Sequence, residues 1–92
     1  MVRLDLDSNQ LGDAGMAEFA RAISSGSLAS LEYLYLNQNQ ISDAGMSAFA
    51  SALSSGSLAG LRELYLSNNK CTQTGKTAIK TAASKRSISC NI

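Results

Sequence analysis

The sequence predicts an α/β chain of three 30-residue strand–helix units, on three observations. It repeats itself: Leu4, Leu34 and Leu64 fall in register, as do Leu6, Leu36 and Leu66, Asn9, Asn39 and Asn69, and Gly15, Gly45 and Gly75. Within each period the apolar spacing changes from every second residue to every third and fourth, the mark of a strand followed by an amphipathic helix. The turn-forming stretch Ser-Ser-Gly-Ser recurs in phase at positions 24–27 and 54–57, where the helices should stop and the chain return.

Each unit opens on Leu-x-x-Leu-x-Leu-x-x-Asn-x-Leu or a close variant: "MVRLDLDSNQL" from Met1, "LEYLYLNQNQI" from Leu31 and "LRELYLSNNKC" from Leu61. Alternation at period two puts Leu4 and Leu6 on one face of a short strand and Arg3, Asp5 and Asp7 on the other. Met16, Phe19 and Ile23, repeated as Met46, Phe49 and Leu53, then define a buried helical stripe. The helices should start near Gly12, Ser42 and Thr72. Serine and threonine are able to cap the first free N–H groups, and Asp13 and Asp43 suit the positive end of the helix that carries them.

The third unit departs from the pattern. Cys71 takes the place of Leu11 and Ile41, Lys76 that of a methionine, Ile79 that of a phenylalanine, Lys80 that of Ala20 and Ala50, and Ala83 that of Ile23 and Leu53. A more polar last helix is expected where a repeat array has no further neighbour to cover it. "SISCNI", Ser87 to Ile92, begins another strand, with Ile88 aligned on Leu28 and Leu58, and is expected to stop too early to complete a unit. At the front, Met1 falls in the column of Leu31 and Leu61, so the chain opens inside a repeat. Leu4, Leu6, Phe19 and Ile23 should border an uncovered edge there. The expectation is the C-terminal part of a longer array, or an edge covered by another chain.

A different reading attaches to "KCTQTGKTAIK", Lys70 to Lys80, whose Gly-Lys-Thr sits between a strand and a helix like a phosphate-binding loop. Such a loop needs a glycine five positions before Gly75. Lys70 stands there, and its side chain would crowd the bend. Gly75 is the third copy of a repeat glycine, which accounts for it without a phosphate.

Composition excludes several chemistries. The sequence contains no histidine, and Cys71 and Cys90 have no metal-ligand spacing, so neither a zinc site nor a Ser/His or Cys/His nucleophile pair is available. Two thiols suit a reducing compartment, while a disulfide between them cannot be argued from sequence. No basic-then-apolar leader opens the chain and no apolar run approaches a membrane span, so a cytoplasmic location is the default. Net charge is +1 but lopsided: residues 1–57 carry Arg3 and Arg21 against Asp5, Asp7, Asp13, Glu18, Glu32 and Asp43, whereas residues 58–92 carry Arg62, Lys70, Lys76, Lys80, Lys85 and Arg86 against Glu63. No aromatic residue interleaves with the lysines, which argues against nucleic acid and for a solvated terminal helix.

These leucines, the asparagine column and the "LGDAG" and "ISDAG" stretches resemble a leucine-rich repeat protein of the ribonuclease-inhibitor-like subclass, with one α-helix per repeat. The resemblance implies a right-handed solenoid with parallel strands on a concave face and helices on a convex one. It divides the single domain, 1–92, into units 1–27, 28–57 and 58–87 with a partial capping tail, 88–92. It also implies that Asn9, Asn39 and Asn69 form a structural ladder bonded to the backbone of neighbouring turns, in keeping with the need of buried polar groups for partners.

Function in such a fold lives on the outward strand positions, which stack into columns: Arg3, Tyr33 and Glu63; Asp5, Tyr35 and Tyr65; Asp7, Asn37 and Ser67. Every tyrosine of the chain lies in them. Tyrosine favours strands, which fills such a face by propensity alone, but it also favours interfaces, where its area and hydroxyl both serve. The expected function is therefore a non-catalytic module binding a protein or peptide partner through these residues, with no cofactor, metal or small-molecule substrate. Two alternatives are a self-associating segment joined through the open front edge, and a regulator of a small GTPase, since similar repeats occur in Ran GTPase-activating proteins as well as in ribonuclease inhibitor and NOD-like receptors.

Overall fold

The computed structural model describes residues 3–92; Met1, which the sequence places in the column of Leu31 and Leu61, lies outside them. Strands and helices alternate: β1 (Arg3–Asp5), α1 (Gly12–Ser24), β2 (Tyr33–Tyr35), α2 (Asp43–Ser54), β3 (Glu63–Tyr65), α3 (Gln73–Lys85) and β4 (Ser89–Asn91). The strands form one parallel sheet in the order β1-β2-β3-β4, with α1 packed on α2 and α2 on α3. Leu34, Leu36, Leu64 and Leu66 point from the sheet into a core completed by Met16, Ile23, Met46, Phe49, Leu53 and Ile79. Burial of each such side chain contributes about 1.5–3 kcal/mol.

The edge of this core is graded. Leu4, Leu6 and Phe19 are only half-buried, against the complete burial of Leu34, Leu36 and Phe49 in the next period. Ile23, expected at the same open edge, is instead 1% exposed. It lies on the last turn of α1, deep in the core cluster rather than on the flank that Phe19 borders.

The tail corrects the expected alignment. Leu4 pairs with Leu34 and Leu34 with Leu64 at the 30-residue spacing, but Leu64 pairs with Cys90, only 26 residues on. The last period is therefore four residues shorter than the 30 that set Ile88 on Leu28 and Leu58, Cys90 continues the leucine column, and Ser89–Asn91 completes a strand. Arg86 helps to close the loop between α3 and β4. Its guanidinium donates to the carbonyls of Leu53 at 3.0 Å, Ser57 at 2.5 Å and Leu58 at 2.7 Å, so it belongs to the packing of the loop and not to a free basic patch.

Polar side chains fasten each turn to the next. Asn39 is fully buried. Its Oδ1 accepts from the main-chain N–H groups of Asn9 at 2.8 Å and Leu11 at 3.2 Å, while its Nδ2 donates to the carbonyls of Leu6 and Asn37. Asn69 does the same one period on, taking the N–H groups of Asn39 at 2.8 Å and Ile41 at 3.1 Å and donating to Leu36 and Leu66. Asn9 is exposed, and among the described residues its side chain donates only to the carbonyl of Asp7.

The helix starts are also capped across the period. Of the expected caps, only Thr72 accepts an N–H of its own helix, from Thr74 at 3.3 Å. Asp13, in the first turn of α1, accepts instead from Ser42 N–H at 2.7 Å and Gly45 N–H at 3.2 Å at the start of α2, and the Ser42 hydroxyl donates to its other oxygen. Asp43 repeats this on α3, with Thr72 N–H at 2.7 Å, Gly75 N–H at 3.1 Å and the Thr72 hydroxyl at 2.5 Å. These bonds, led by the hydroxyls, hold both carboxyls below the usual aspartate range. The repeat glycines make room for them: a Cβ on Gly45 would lie 2.6 Å from Asp13 Oδ1, and one on Gly75 2.5 Å from Asp43 Oδ1. The glycine of the apparent phosphate loop is thus the seat of an aspartate.

Asn39→Ala strands the N–H groups of Asn9 and Leu11 and the Leu6 carbonyl, and should cost about 3 kcal/mol. Asn9→Ala, which strands no inter-turn group, should cost less than about 0.5 kcal/mol. Urea denaturation of both variants checks the contrast.

Candidate interaction face

Outward positions of the four strands form the sheet face opposite the helices, because parallel pairing in register sets equivalent residues side by side. The pairing aligns Arg3, Tyr33, Glu63 and Ser89 in one row and Asp5, Tyr35, Tyr65 and Asn91 in the next. Ser89 and Asn91 were not anticipated in these rows. The alternation of Ile88, Cys90 and Ile92 carried the signal for their strand, but the four-residue shortening hid its register.

Three side chains of this face are stacked. The Tyr35 and Tyr65 rings lie 4.5 Å apart between centroids with 6° between their planes, and the Arg3 guanidinium sits 4.4 Å from the centre of Tyr35. Arg3 thus reaches diagonally out of its own row, to a ring flanked by β1 and β3. Each such contact contributes about 0.5–1.5 kcal/mol beyond area burial. Glu63 completes the group by accepting from the Tyr65 hydroxyl. Tyr33 is half-buried and forms no aromatic pair among the described residues.

The third column plays a different part. Asp7 Oδ1 accepts from Asn37 N–H at 2.7 Å, and Asn37 Oδ1 from Ser67 N–H at 2.7 Å, so these side chains also tie one turn to the next. Asp5, an exposed residue, in turn accepts from Asp7 N–H at 3.0 Å. The face therefore comprises an aromatic patch with an anionic side at Asp5 and Glu63, resting on a rim whose polar groups are engaged.

Among the described residues no group of three or more His, Cys, Asp or Glu side chains could hold a metal, and no helix is long and apolar enough to cross a membrane. Cys71 and Cys90 are both free and partly buried, and burial pushes both thiols up from the ordinary cysteine value.

The hydrogen bond to Glu63 raises the Tyr65 hydroxyl from 10.0 to about 12. A folded-state value above the unfolded one favours the protonated form, so the contribution of this bond is complete below pH 10 and is lost as pH rises through about 12. Tyrosinate absorbance should therefore resolve a late-titrating tyrosine, absent in Tyr65→Phe and moved towards 10 in Glu63→Gln.

Two family models match the sequence. One, leucine rich repeats in two copies, covers residues 29–78, more than half of the chain, and the other, a single leucine rich repeat, covers residues 1–20. No curated protein matches it. With the family's strand-and-helix period present across most of its length, the chain belongs to the leucine-rich repeat family.

Proposed function

We propose that this chain is a non-catalytic interaction module whose outward sheet face binds a protein or peptide partner. Leucine-rich repeats generally mediate protein–protein interaction. The observation that carries the reading to this face is the stack of Arg3, Tyr35 and Tyr65 with Glu63 bonded to its end. A stacked aromatic pair with an arginine is the composition of an interface hot spot, and side chains already held in place lose little rotamer freedom on binding. In this reading Tyr33, Tyr35 and Tyr65 supply the contact area, Arg3, Asp5 and Glu63 its charged margin, and Asp7, Asn37 and Ser67 its rim.

The architecture that goes with it is a right-handed solenoid of the ribonuclease-inhibitor-like kind, with this face concave and with units 1–27, 28–57 and 58–87 in one domain. The 30-residue spacing and the single helix in each period support that assignment. Asn39 and Asn69 then act as its structural ladder, with Asn9, whose side chain bonds its own turn, as the first member of the column. A second reading, association through the front edge, draws on a specific observation: among the described residues β1 pairs with β2 alone, and Leu4, Leu6 and Phe19 beside it are half-buried. Nothing specific favours a small-GTPase regulator.

Selection of peptides from a displayed random library against the 92-residue chain tests the leading reading. Peptides so obtained should lose about thirtyfold or more in affinity for Tyr35→Ala and for Tyr65→Ala, the loss of one hot-spot side chain, with circular dichroism unchanged. Equal affinity for both variants would remove the face from the interaction.

A further inference from the structure

We propose that the outward sheet face takes an extended basic segment of its partner, with two arginines four positions apart and an apolar residue midway between them. The inference rests on the reading of that face as the binding surface and adds the chemistry of the partner. At its outward positions the face carries Asp5, Asp7 and Glu63 against a single base, Arg3. Arg3 lies over the Tyr35 ring. Among the described residues the only ion pair is Arg21 with Glu18, on α1, so Asp5 and Glu63 both keep an unneutralised charge. One position before the first row, Glu32 and Arg62 offset each other.

These two acids are already held in place. Asp5 Oδ1 accepts from Asp7 N–H, and Glu63 Oε1 accepts from the Tyr65 hydroxyl. Each bond engages one oxygen of a carboxylate that is able to accept several more. A side chain fixed beforehand loses less freedom when a cation pairs with it. Acids alone do not make a site, but these two adjoin the aromatic stack: Asp5 stands beside Tyr35 in its row, and Glu63 is bonded to Tyr65.

The register sets the spacing of the partner. Asp5 and Glu63 lie two strands apart at about 4.8 Å a strand, and two residues apart along the strands at about 3.3 Å a residue, which separates them by about 12 Å. The middle of that line falls on β2, which carries Tyr33 and Tyr35. An extended peptide covers about 13 Å in four residues and turns positions i, i+2 and i+4 to the same side. Arginines at i and i+4 thus meet the two carboxylates while the residue at i+2 rests on the tyrosines. Arginine suits the ends because its planar fork bonds a carboxylate with two N–H groups at once.

Titration of the ¹⁵N-labelled 92-residue chain at low ionic strength with N-acetyl-Arg-Gly-Leu-Gly-Arg amide tests this. Its isomer N-acetyl-Gly-Arg-Arg-Leu-Gly amide and the counterpart N-acetyl-Glu-Gly-Leu-Gly-Glu amide serve as comparisons. The expected result is a saturable shift of the Asp5, Tyr35, Glu63 and Tyr65 amide resonances with the first peptide. Binding should be about two- to fivefold weaker for the isomer, which reaches one carboxylate at a time, the difference made by one exposed ion pair. Asp5→Asn and Glu63→Gln should each weaken the first peptide by the same factor, and both keep an acceptor for the bond already made. Equal binding of the two arginine peptides, binding of the glutamate peptide as tight as the first, or no shift of these resonances would overturn the proposal. So would movement of the same resonances on dilution without peptide, which assigns the face to a second copy. Failure of the wider reading is distinguishable. Library peptides that depend on Tyr35 and Tyr65 but carry no basic residue overturn the basic segment and keep the face, whereas peptides indifferent to both tyrosines remove the face itself.

Discussion

One carboxamide per period holds the turns of this protein in register. Asn39 and Asn69 each take two main-chain N–H groups from the turn before and return hydrogen bonds to its carbonyl and to their own turn. At these turns the chain leaves its strand, so its polar groups have no ladder partner, and burying them unpaired would cost more than the thin core of a small domain can offset. With them paired, the leucines on either side are fixed in depth and the outward residues are fixed in row. The face that carries Tyr35 and Tyr65 is a consequence of that register.

The remaining polar bonds repeat the same logic at other heights. Asp7 and Asn37 join successive turns on the sheet side, and Asp13 and Asp43 join successive helix starts on the far side. Ordinarily a helix caps itself from its own N-terminal residue. In this chain the starts of α2 and α3 are bonded by an aspartate of the preceding helix, beside the bond Thr72 makes within α3, which couples neighbouring periods as a repeat array requires. Gln73 occupies the position of Asp13 and Asp43, and its amide bonds Thr77 in its own helix. The charge that passes the cap onward is replaced at α3 by a neutral side chain used locally.

The sequence was informative where periodicity is strong. Leucines at period two and Met16, Phe19 and Ile23 at helical spacing specified strands and helices because each position faces either core or solvent, and the parallel register followed from the 30-residue repeat. It was less informative where a side chain acts across the repeat. Asp13 and Asp43 read as ordinary first-turn acids, since nothing in one period says that the carboxylate reaches 29 residues ahead. Arg86 read as one of the basic residues of the C-terminal third because its carbonyl partners carry no side-chain signature. The rows of tyrosines were legible, but not the diagonal reach of Arg3 over Tyr35, which depends on a long side chain choosing a ring over its own row.

Native-state hydrogen exchange on the 92-residue chain tests the central claim most directly. If carboxamide bonds hold the turns together, the N–H groups of Asn39 and Ile41, closed on Asn69, should exchange through the largest opening of the chain, whereas those of Asn69 and Cys71, one period on and with no acceptor among the described residues, should exchange far faster. Equal protection of the two pairs would contradict this, and would show that packing alone holds the turns.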